Sequence, residues 1–166
     1  LFLFNMIVPF QMVMFTLSKL ADMMGLNTPW GLWIVYLGFG AGLAVFIFTG
    51  VVKGIPSELE ESAMIDGASV PRIFFQIVLP IMRPSLISVA ILQTMWIWND
   101  FLLPLITLTD QSNQTIPLAQ YVFQSQFTSN YPMAFASYLM AMAPVLIVYI
   151  FAQKWVVGGV MRGAVK

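Results

Sequence analysis

Cysteine and histidine are both absent from this sequence of 166 residues. Without them the chain can form no disulfide and has no thiolate nucleophile, no imidazole base and few of the usual zinc ligands. A Gly-rich phosphate loop that ends in Gly-Lys-Ser or Gly-Lys-Thr is missing as well. Most enzyme mechanisms are therefore excluded, and we predict no catalytic residue, no metal site and no cofactor.

Charge is scarce. Only 8% of the residues are charged, whereas 60% are hydrophobic and the formal net charge is zero. An ordinary soluble domain has roughly 25% charged residues. The balance of charges gives no basic surface for nucleic acid, so we expect no nucleic-acid partner. The composition indicates a protein whose solvent is the lipid bilayer.

Four apolar stretches come near the length of about 20 residues that a membrane-spanning helix needs. They cover residues 1–17, 30–52, 84–108 and 132–153. Peptide groups in lipid must bond to each other, and none of these stretches has the alternation of a membrane β-strand. The predicted fold class is therefore all-α, a polytopic transmembrane helical bundle. Since Leu1 opens inside the first apolar stretch, we expect the chain to be a fragment of a longer polypeptide.

The basic residues predict the orientation, because Lys and Arg accumulate in cytoplasmic loops. Three of the seven lie between the second and third stretches, three lie at the C-terminal end, and none lies within residues 109–131; the seventh, Lys19, is the exception. We therefore expect residues 53–83 and the C-terminal tail, residues 154–166, to face the cytoplasm. Residues 109–131 should lie outside.

The connection from Lys53 to Arg83 is long for a helix hairpin, where roughly 2 to 8 residues suffice. Ser57 and Glu60 have the spacing of a capping box, which predicts the start of a short helix. Gly67 can take the left-handed conformation that ends such a helix. A second short helix is predicted to open at Ser69 and to stop at Pro80. The connection is thus predicted to be two short helices joined by a sharp turn.

This connection resembles the EAA loop of permease subunits of ATP-binding cassette (ABC) importers. The resemblance rests on Glu61, Ser62, Ala63, Gly67, Ile77, Leu79 and Pro80, with Ser62 standing where the family has its first Ala. Residues 65–68, 98–101, 115–118 and 163–166 are similar to the sugar-importing branch, in particular to its maltose-type second permease. The resemblance covers nearly the whole chain and implies that two or more N-terminal spans are absent.

The resemblance implies a type I ABC importer permease in the plasma membrane of a bacterium or archaeon, carrying a sugar or oligosaccharide. Its implied partners are two ABC ATPase subunits, a second permease subunit, an extracytoplasmic solute-binding protein, a sugar-like substrate and membrane lipid. ATP hydrolysis is expected on the ATPase subunits, so the chain itself is not expected to be an enzyme. The alternatives are an importer for a polyol or a phosphate ester, a membrane scaffold, or a membrane enzyme that uses the acidic residues of the connection.

The candidate site residues form three groups, of which the first lies in the connection. In the family the EAA loop docks in a cleft of the ATPase subunit. Here carboxylates would meet basic groups and small residues would allow close approach: Glu58, Glu60, Glu61, Ala63, Asp66, Gly67 and Ala68. The alternative is an amphipathic helix that lies in the headgroup layer, although such helices are rich in Lys and Arg.

The second group is Gln93, Trp96 and Asp100, which fall on one helix face at positions i, i+3 and i+7. An ionisable residue within a span is a candidate for function, so this face is predicted to line the solute path. Alternatively, Asp100 reaches interfacial water and Trp96 joins the aromatic belt.

The third group is Arg162 and Gly163 in the tail. Its three glycines predict an extended segment from Gly158 onward. By the resemblance, this tail would reach the interface between the two ATPase subunits; the alternative is a disordered basic end.

Overall fold

The computed structural model describes residues 7–126 and 131–164, with the backbone alone for 122–126, 152 and 154–164. Every regular element in these ranges is helical, which confirms the all-α prediction. The α-helices are α1 (Phe10–Met23), α2 (Pro29–Lys53), α3 (Ser57–Ile65), α4 (Val70–Ile73), α5 (Leu79–Asn99), α6 (Leu102–Thr107), α7 (Ile116–Gln126) and α8 (Tyr131–Ala164). A π turn, Phe74–Val78, joins α4 to α5, and a short 3₁₀ turn, Gln111–Asn113, precedes α7.

Among the described residues, three helical segments are long and apolar enough to cross a membrane: Pro29–Lys53, Val70–Asn99 and Tyr131–Phe151. They contain most of the second, third and fourth predicted stretches. The first stretch includes residues 1–6, which lie outside the described residues. The rest of that stretch belongs largely to α1, a helix of 14 residues that begins after Pro9.

The second short helix of the connection does not stop at Pro80, so that prediction is wrong. α4 runs through the π turn into α5 without a break. Within the turn the Leu79 N–H bonds to the Phe74 carbonyl, five residues back instead of four. Pro80 has no N–H to give, and in a regular α-turn its ring would meet the carbonyl of Gln76. The wider π turn avoids this clash and lets the helix continue.

The third predicted stretch contains two helices instead of one. α5 ends at Asn99, and Asp100 has an extended backbone with φ −72° and ψ 132°. The Leu102 N–H then donates to Asp100 Oδ1 at 3.2 Å. Such a bond from a side chain to the backbone two residues further on competes with continuation of the helix. α6 therefore begins after Asp100 as a separate short helix.

Residues 109–115 fold into a tight turn before α7. The Ser112 N–H donates to Asp110 Oδ1 at 2.9 Å. This bond favours the charged carboxylate and holds the pKa of Asp110 below its usual range. The turn is therefore an ordered cap and not a loose loop.

Two clusters of buried residues hold the helices together, and α5 packs against both α2 and α8. The first cluster joins α2, α6 and α7 and contains Leu32, Val35, Tyr36, Leu103, Leu108 and Leu118. The second lies at the connection and contains Ala63, Ile73, Val78 and Met82. Both α3 and α4 thus share a core with the start of α5.

The C-terminal segment is helical through Ala164, so the prediction of an extended tail from Gly158 is wrong. A glycine inside a helix costs only about 1 kcal/mol relative to alanine. Extending an existing helix needs no new nucleation. α8 therefore continues through these glycines as a helix.

Candidate functional site

The turn between α3 and α4 is built around Gly67. Its φ is +81°, so the predicted left-handed conformation is confirmed. The Gly67 N–H bonds to the Met64 carbonyl at 3.0 Å, and the Ala68 N–H bonds to the Ala63 carbonyl at 2.9 Å. These two bonds form a Schellman motif that satisfies the last carbonyls of α3. The motif fixes the direction in which α4 leaves α3.

The start of α3 differs from the prediction, because no capping box forms. Pro56 occupies the N-cap position, and no side chain caps the helix. Ser57 is instead the first helical residue, and the Leu59 N–H bonds to the Pro56 carbonyl at 3.3 Å. Glu58 and Glu60 still lie in the first turn, where the helix dipole favours negative charge. The Glu60 carboxylate is therefore not used in a cap.

The acidic side chains of α3 face outward. Glu58, Glu61 and Asp66 are exposed and Glu60 is half-buried. Within the part of the chain that the structure describes, none of them forms an ion pair. Their charge is thus available to basic groups of another protein.

The two alanines of the connection pack inside the chain, and the predicted docking of the small residues on a partner stays a prediction. Ala63 is buried, and Ile73 and Val78 belong to the same buried cluster. Ala68 is half-buried and packs against this cluster. Both alanines therefore allow close approach between the chain's own helices. Gly67, which is exposed, lies at the outer side of the turn.

Gln93, Trp96 and Asp100 all turn toward α2, as their spacing predicts for one helix face. Gln93 Nε2 donates to the Gly40 carbonyl at 2.8 Å. The ring of Trp96 meets that of Tyr36 edge to face, with 5.7 Å between the centroids. The Tyr36 hydroxyl donates to Asp100 Oδ2 at 2.9 Å. The three residues thus join α5 to α2, and Trp96 stays 45% exposed.

Tyr36 is the member of this group that the sequence did not reveal. A carboxylate near the membrane needs a hydrogen-bond donor, because an unpaired charge there is costly. Tyr36 supplies a hydroxyl from the N-terminal half of α2, the span that carries no charge before Lys53. Asp100 has both oxygens occupied, one by Tyr36 and one by the Leu102 N–H. Tyr36 could have been identified from the sequence by a search for a hydrogen-bond donor to Asp100 among the apolar spans.

α8 is attached to α5 beside Pro144. Pro144 lies inside this helix and has no N–H for the carbonyl of Met140. One residue further, the Ala141 carbonyl accepts from Trp98 Nε1 at 3.2 Å. A cavity of about 110 Å³ lies between the two helices, and its lining includes Ile91, Trp98, Val145 and Val148. Such an apolar cleft does not suit a polar solute such as a sugar.

The tail residues Arg162 and Gly163 belong to the helical backbone of α8. Their side-chain positions lie outside the described part of the chain. Their predicted contact with the ATPase subunits stays a prediction.

Comparison with known proteins identifies the family. Residues 1–162 match the family model described as binding-protein-dependent transport system inner membrane component. Over its whole length the chain is 42% identical to the probable starch degradation products transport system permease protein AmyC of Thermoanaerobacterium thermosulfurigenes, of which it covers 61%. It is 36% identical, again over its whole length, to the multiple sugar-binding transport system permease protein MsmG of Streptococcus mutans, covering 61% of that protein.

A third relative is the arabinooligosaccharides transport system permease protein AraQ of Bacillus subtilis, which is 36% identical over the whole chain and 59% covered by it. The chain thus spans about three fifths of the length of these curated relatives. The family match extends over all the helices of the structure except the last residues of α8. The chain belongs to the family of binding-protein-dependent transport system inner membrane components.

Proposed function

We propose that the chain is part of the permease subunit of an ATP-driven importer that carries a sugar or oligosaccharide. The family match supports the transport class. The relatives' names, which refer to starch degradation products, multiple sugars and arabinooligosaccharides, support the substrate class. The proposed partners are a second permease subunit, two ABC ATPase subunits that hydrolyse the ATP, and an extracytoplasmic solute-binding protein.

The connection between α2 and α5 is proposed to be the EAA loop that docks on an ATPase subunit. One observation carries this proposal: α3 is an exposed acidic helix that is joined to a membrane span through the Gly67 turn and the unbroken α4–α5 backbone. A partner that binds Glu58, Glu61 and Asp66 and then moves would pull on α5 through this backbone. The shared core of Ala63, Ile73 and Met82 makes α3 move with α5.

The orientation in this proposal places the connection and the end of α8 in the cytoplasm. Lys53, Arg72 and Arg83 at the connection support this side. Residues 109–131, which carry no Lys or Arg, would then face the solute-binding protein. Arg162 and Gly163 would lie on the cytoplasmic side, within reach of the ATPase subunits.

The solute path is proposed to border the face of α5 that carries Trp96. Gln93 and Asp100 already bond to α2, so they are proposed to hold this face in place. The ring of Trp96 keeps the exposed area that could stack on a sugar. The apolar cleft beside Pro144 is not part of this path.

Uptake by the full complex tests the proposed substrate class. The full-length permease would be reconstituted in proteoliposomes with its second permease, its ATPase subunits and its solute-binding protein. We expect ATP-dependent uptake of a starch-derived oligosaccharide or an arabinooligosaccharide, and none of a polyol or a phosphate ester. A complex with an ATPase variant that binds but does not hydrolyse ATP is the control. Uptake of the polyol or phosphate ester alone would contradict the proposed substrate class.

A further inference from the structure

The two helices that flank α5 are packed against it in different ways. Toward α2, Gln93 Nε2 donates to the Gly40 carbonyl at 2.8 Å, and the Tyr36 hydroxyl donates to Asp100 Oδ2 at 2.9 Å. A Cβ on Gly40 would lie 3.0 Å from Gln93 Oε1, so the two helices are in close contact at this point. α2 and α5 are therefore a firmly joined pair.

The interface between α5 and α8 contains a cavity instead. Its volume is about 110 Å³, and its lining includes Ile91, Thr94 and Met95 of α5 with Val145 and Val148 of α8. Protein interiors are close-packed and have few voids larger than a water molecule. The cavity thus marks a place where the packing of α5 against α8 is interrupted.

Two polar groups at the cavity are already bonded elsewhere. Thr94 Oγ1 donates to the Ala90 carbonyl at 2.7 Å, within α5. Trp98 Nε1 donates to the Ala141 carbonyl at 3.2 Å, at one end of the cavity. Empty apolar cavities stay free of water, so the side chains that line this one lack contact partners on one side. Their packing would improve if the two helices moved together.

Pro144 lies between the attached part of α8 and the part that borders the cavity. The Ala141 carbonyl, which accepts from Trp98, comes three residues before Pro144, and Val145 and Val148 follow it along the cavity. Pro144 has no N–H for a backbone bond, and prolines are among the usual positions at which a helix bends. The part of α8 after Pro144 can therefore turn toward α5 while the part before it keeps its bond to Trp98.

We propose that the cavity is the space into which α8 closes when the importer changes state, with Pro144 as the hinge and the Trp98–Ala141 bond as the fixed point. The proposal rests on the proposed function. Conformational switches in proteins commonly use one helix that has two packing arrangements against another. Here α2 and α5 would move as one unit, and α8 would bend against them.

Filling the cavity tests the closure. In the complete purified complex, Val145→Phe should raise the midpoint of thermal unfolding, because the ring restores contacts across the interface. It should also lower ATP-driven sugar uptake by about tenfold, because the filled cavity favours the separated arrangement of the helices. Damage to the fold would lower both quantities, so the opposite signs distinguish a blocked movement from a lost structure.

The matched control is Leu146→Phe, which adds the same ring at the next position. Leu146 is 45% exposed and does not line the cavity, so this variant should keep normal uptake. Val145→Leu fills less of the cavity and should show the same two effects to a smaller degree, which keeps the test valid if the larger ring prevents assembly. Normal uptake in both Val145 variants, or equal losses in Val145→Phe and Leu146→Phe, would overturn the proposal.

Distances between spin labels test the movement itself. The chain has no cysteine, so introduced cysteines can carry the labels. Leu92→Cys with Leu146→Cys reports the distance from α5 to α8, and Leu92→Cys with Phe46→Cys reports the distance from α5 to α2; all three positions are exposed. We expect the first distance to differ between the nucleotide-free and the ATP-bound complex and the second to stay the same. A constant first distance, or equal changes in both, would overturn the proposal.

The unaltered complex separates a failure of this proposal from a failure of the proposed function. If the chain is not part of an ATP-driven importer, the unaltered complex will show no ATP-dependent uptake, and neither distance will depend on the nucleotide. If the importer function is correct but α8 does not close, the unaltered complex and Val145→Phe will transport equally well. The distance from α5 to α8 will then be the same in both nucleotide states.

Discussion

At the residue scale, the hydrogen bond between Tyr36 and Asp100 joins two membrane helices. Tyr36 is buried, whereas Asp100 is half-buried and lies at the break between α5 and α6. Asp100 accepts two hydrogen bonds, one from the Leu102 N–H at the start of α6 and one from the Tyr36 hydroxyl of α2. The pair fixes the C-terminal end of α5 against α2.

Tyr36→Phe tests this link. The substitution keeps the ring beside Trp96 but leaves Asp100 Oδ2 without its donor, so we expect the free energy of unfolding to fall by about 1 to 3 kcal/mol. The midpoint of thermal unfolding of the purified protein measures the effect. Tyr121→Phe is the control, because Tyr121 is exposed and its ring packs against Phe101. Equal effects of the two substitutions would contradict the account.

Gly67→Val tests the turn that directs α3. A side chain at φ +81° strains the backbone by about 1 to 2 kcal/mol, although a Cβ there would meet no atom within 4 Å. We expect the turn to shift and solute-stimulated ATP hydrolysis to become uncoupled from uptake in the reconstituted complex. Gly50→Val is the control, since Gly50 also has open space but ordinary helical backbone. Normal uptake with normal stimulated hydrolysis in Gly67→Val would refute the prediction.

The conformation of a single residue could be predicted where it depends on one local property of that residue. The left-handed Gly67 followed from the freedom of glycine alone. The capping box failed because Pro56 holds the N-cap position, which a pattern of Ser57 and Glu60 does not reveal. Tyr36 was missed because its role depends on a partner 64 positions away in the sequence.

At the element scale, the contact between α2 and α5 depends on Gly40. A Cβ on Gly40 would come within 3.0 Å of Gln93 Oε1, whereas a Cβ on Gly38 would meet nothing within 4 Å. The G-x-x-x-G pattern of Gly38 and Gly42 predicts close helix packing in this span. The structure places Gly42 in a buried position and Gly40 directly against the Gln93 side chain of α5.

Gly40→Val is therefore expected to push Gln93 away and to break its bond to the Gly40 carbonyl. Overpacking of this kind costs about 1 to 3 kcal/mol. Gly38→Val in the same helix should have little effect on the unfolding midpoint. The two variants would be compared by thermal unfolding in the same detergent. The interpretation fails if Gly38→Val is the more destabilising of the two.

Three of the predicted apolar stretches overlap long apolar helices of the structure, but the interruptions of these helices could not be predicted. A long apolar run indicates a membrane-spanning helix, because in lipid the backbone N–H and C=O groups of such a run must bond to each other. The run does not indicate whether Pro80 ends a helix or follows a π turn within a continuous helix. It also does not indicate whether a separate helix begins after Asp100. Each outcome is decided by a choice between two local geometries, a break or a π turn at Pro80 and continuation or a side-chain turn at Asp100, and the apolar pattern fits both.

At the scale of the whole molecule, the proposed orientation puts the two ends of α5 on opposite sides of the membrane. The chain contains no cysteine, so single cysteines can report the side of each loop. With Asn113→Cys, an impermeant thiol reagent added to intact cells should label the protein. With Glu61→Cys, labelling should require inside-out vesicles. The reverse pattern would show that the orientation is wrong.

The family and the transport class were also predictable at this scale, because the spacing of the EAA-like residues extends through the connection. The site was predictable only in part. Ala63 has the size expected for docking, yet it is buried against the chain's own helices. Sequence spacing shows which residues share a helix face but not whether a partner or the same chain covers that face.

The central claim is that α3 contacts an ATPase subunit, and a photo-cross-link tests it most directly. A photoreactive amino acid at Ser62, which is exposed on α3, would be compared with one at Gln111, which is exposed before α7. In the complete complex we expect irradiation to join the chain to an ATPase subunit from position 62 and not from position 111. A cross-link to the ATPase subunit from position 111, or none from position 62 in a fully assembled complex, would contradict the account.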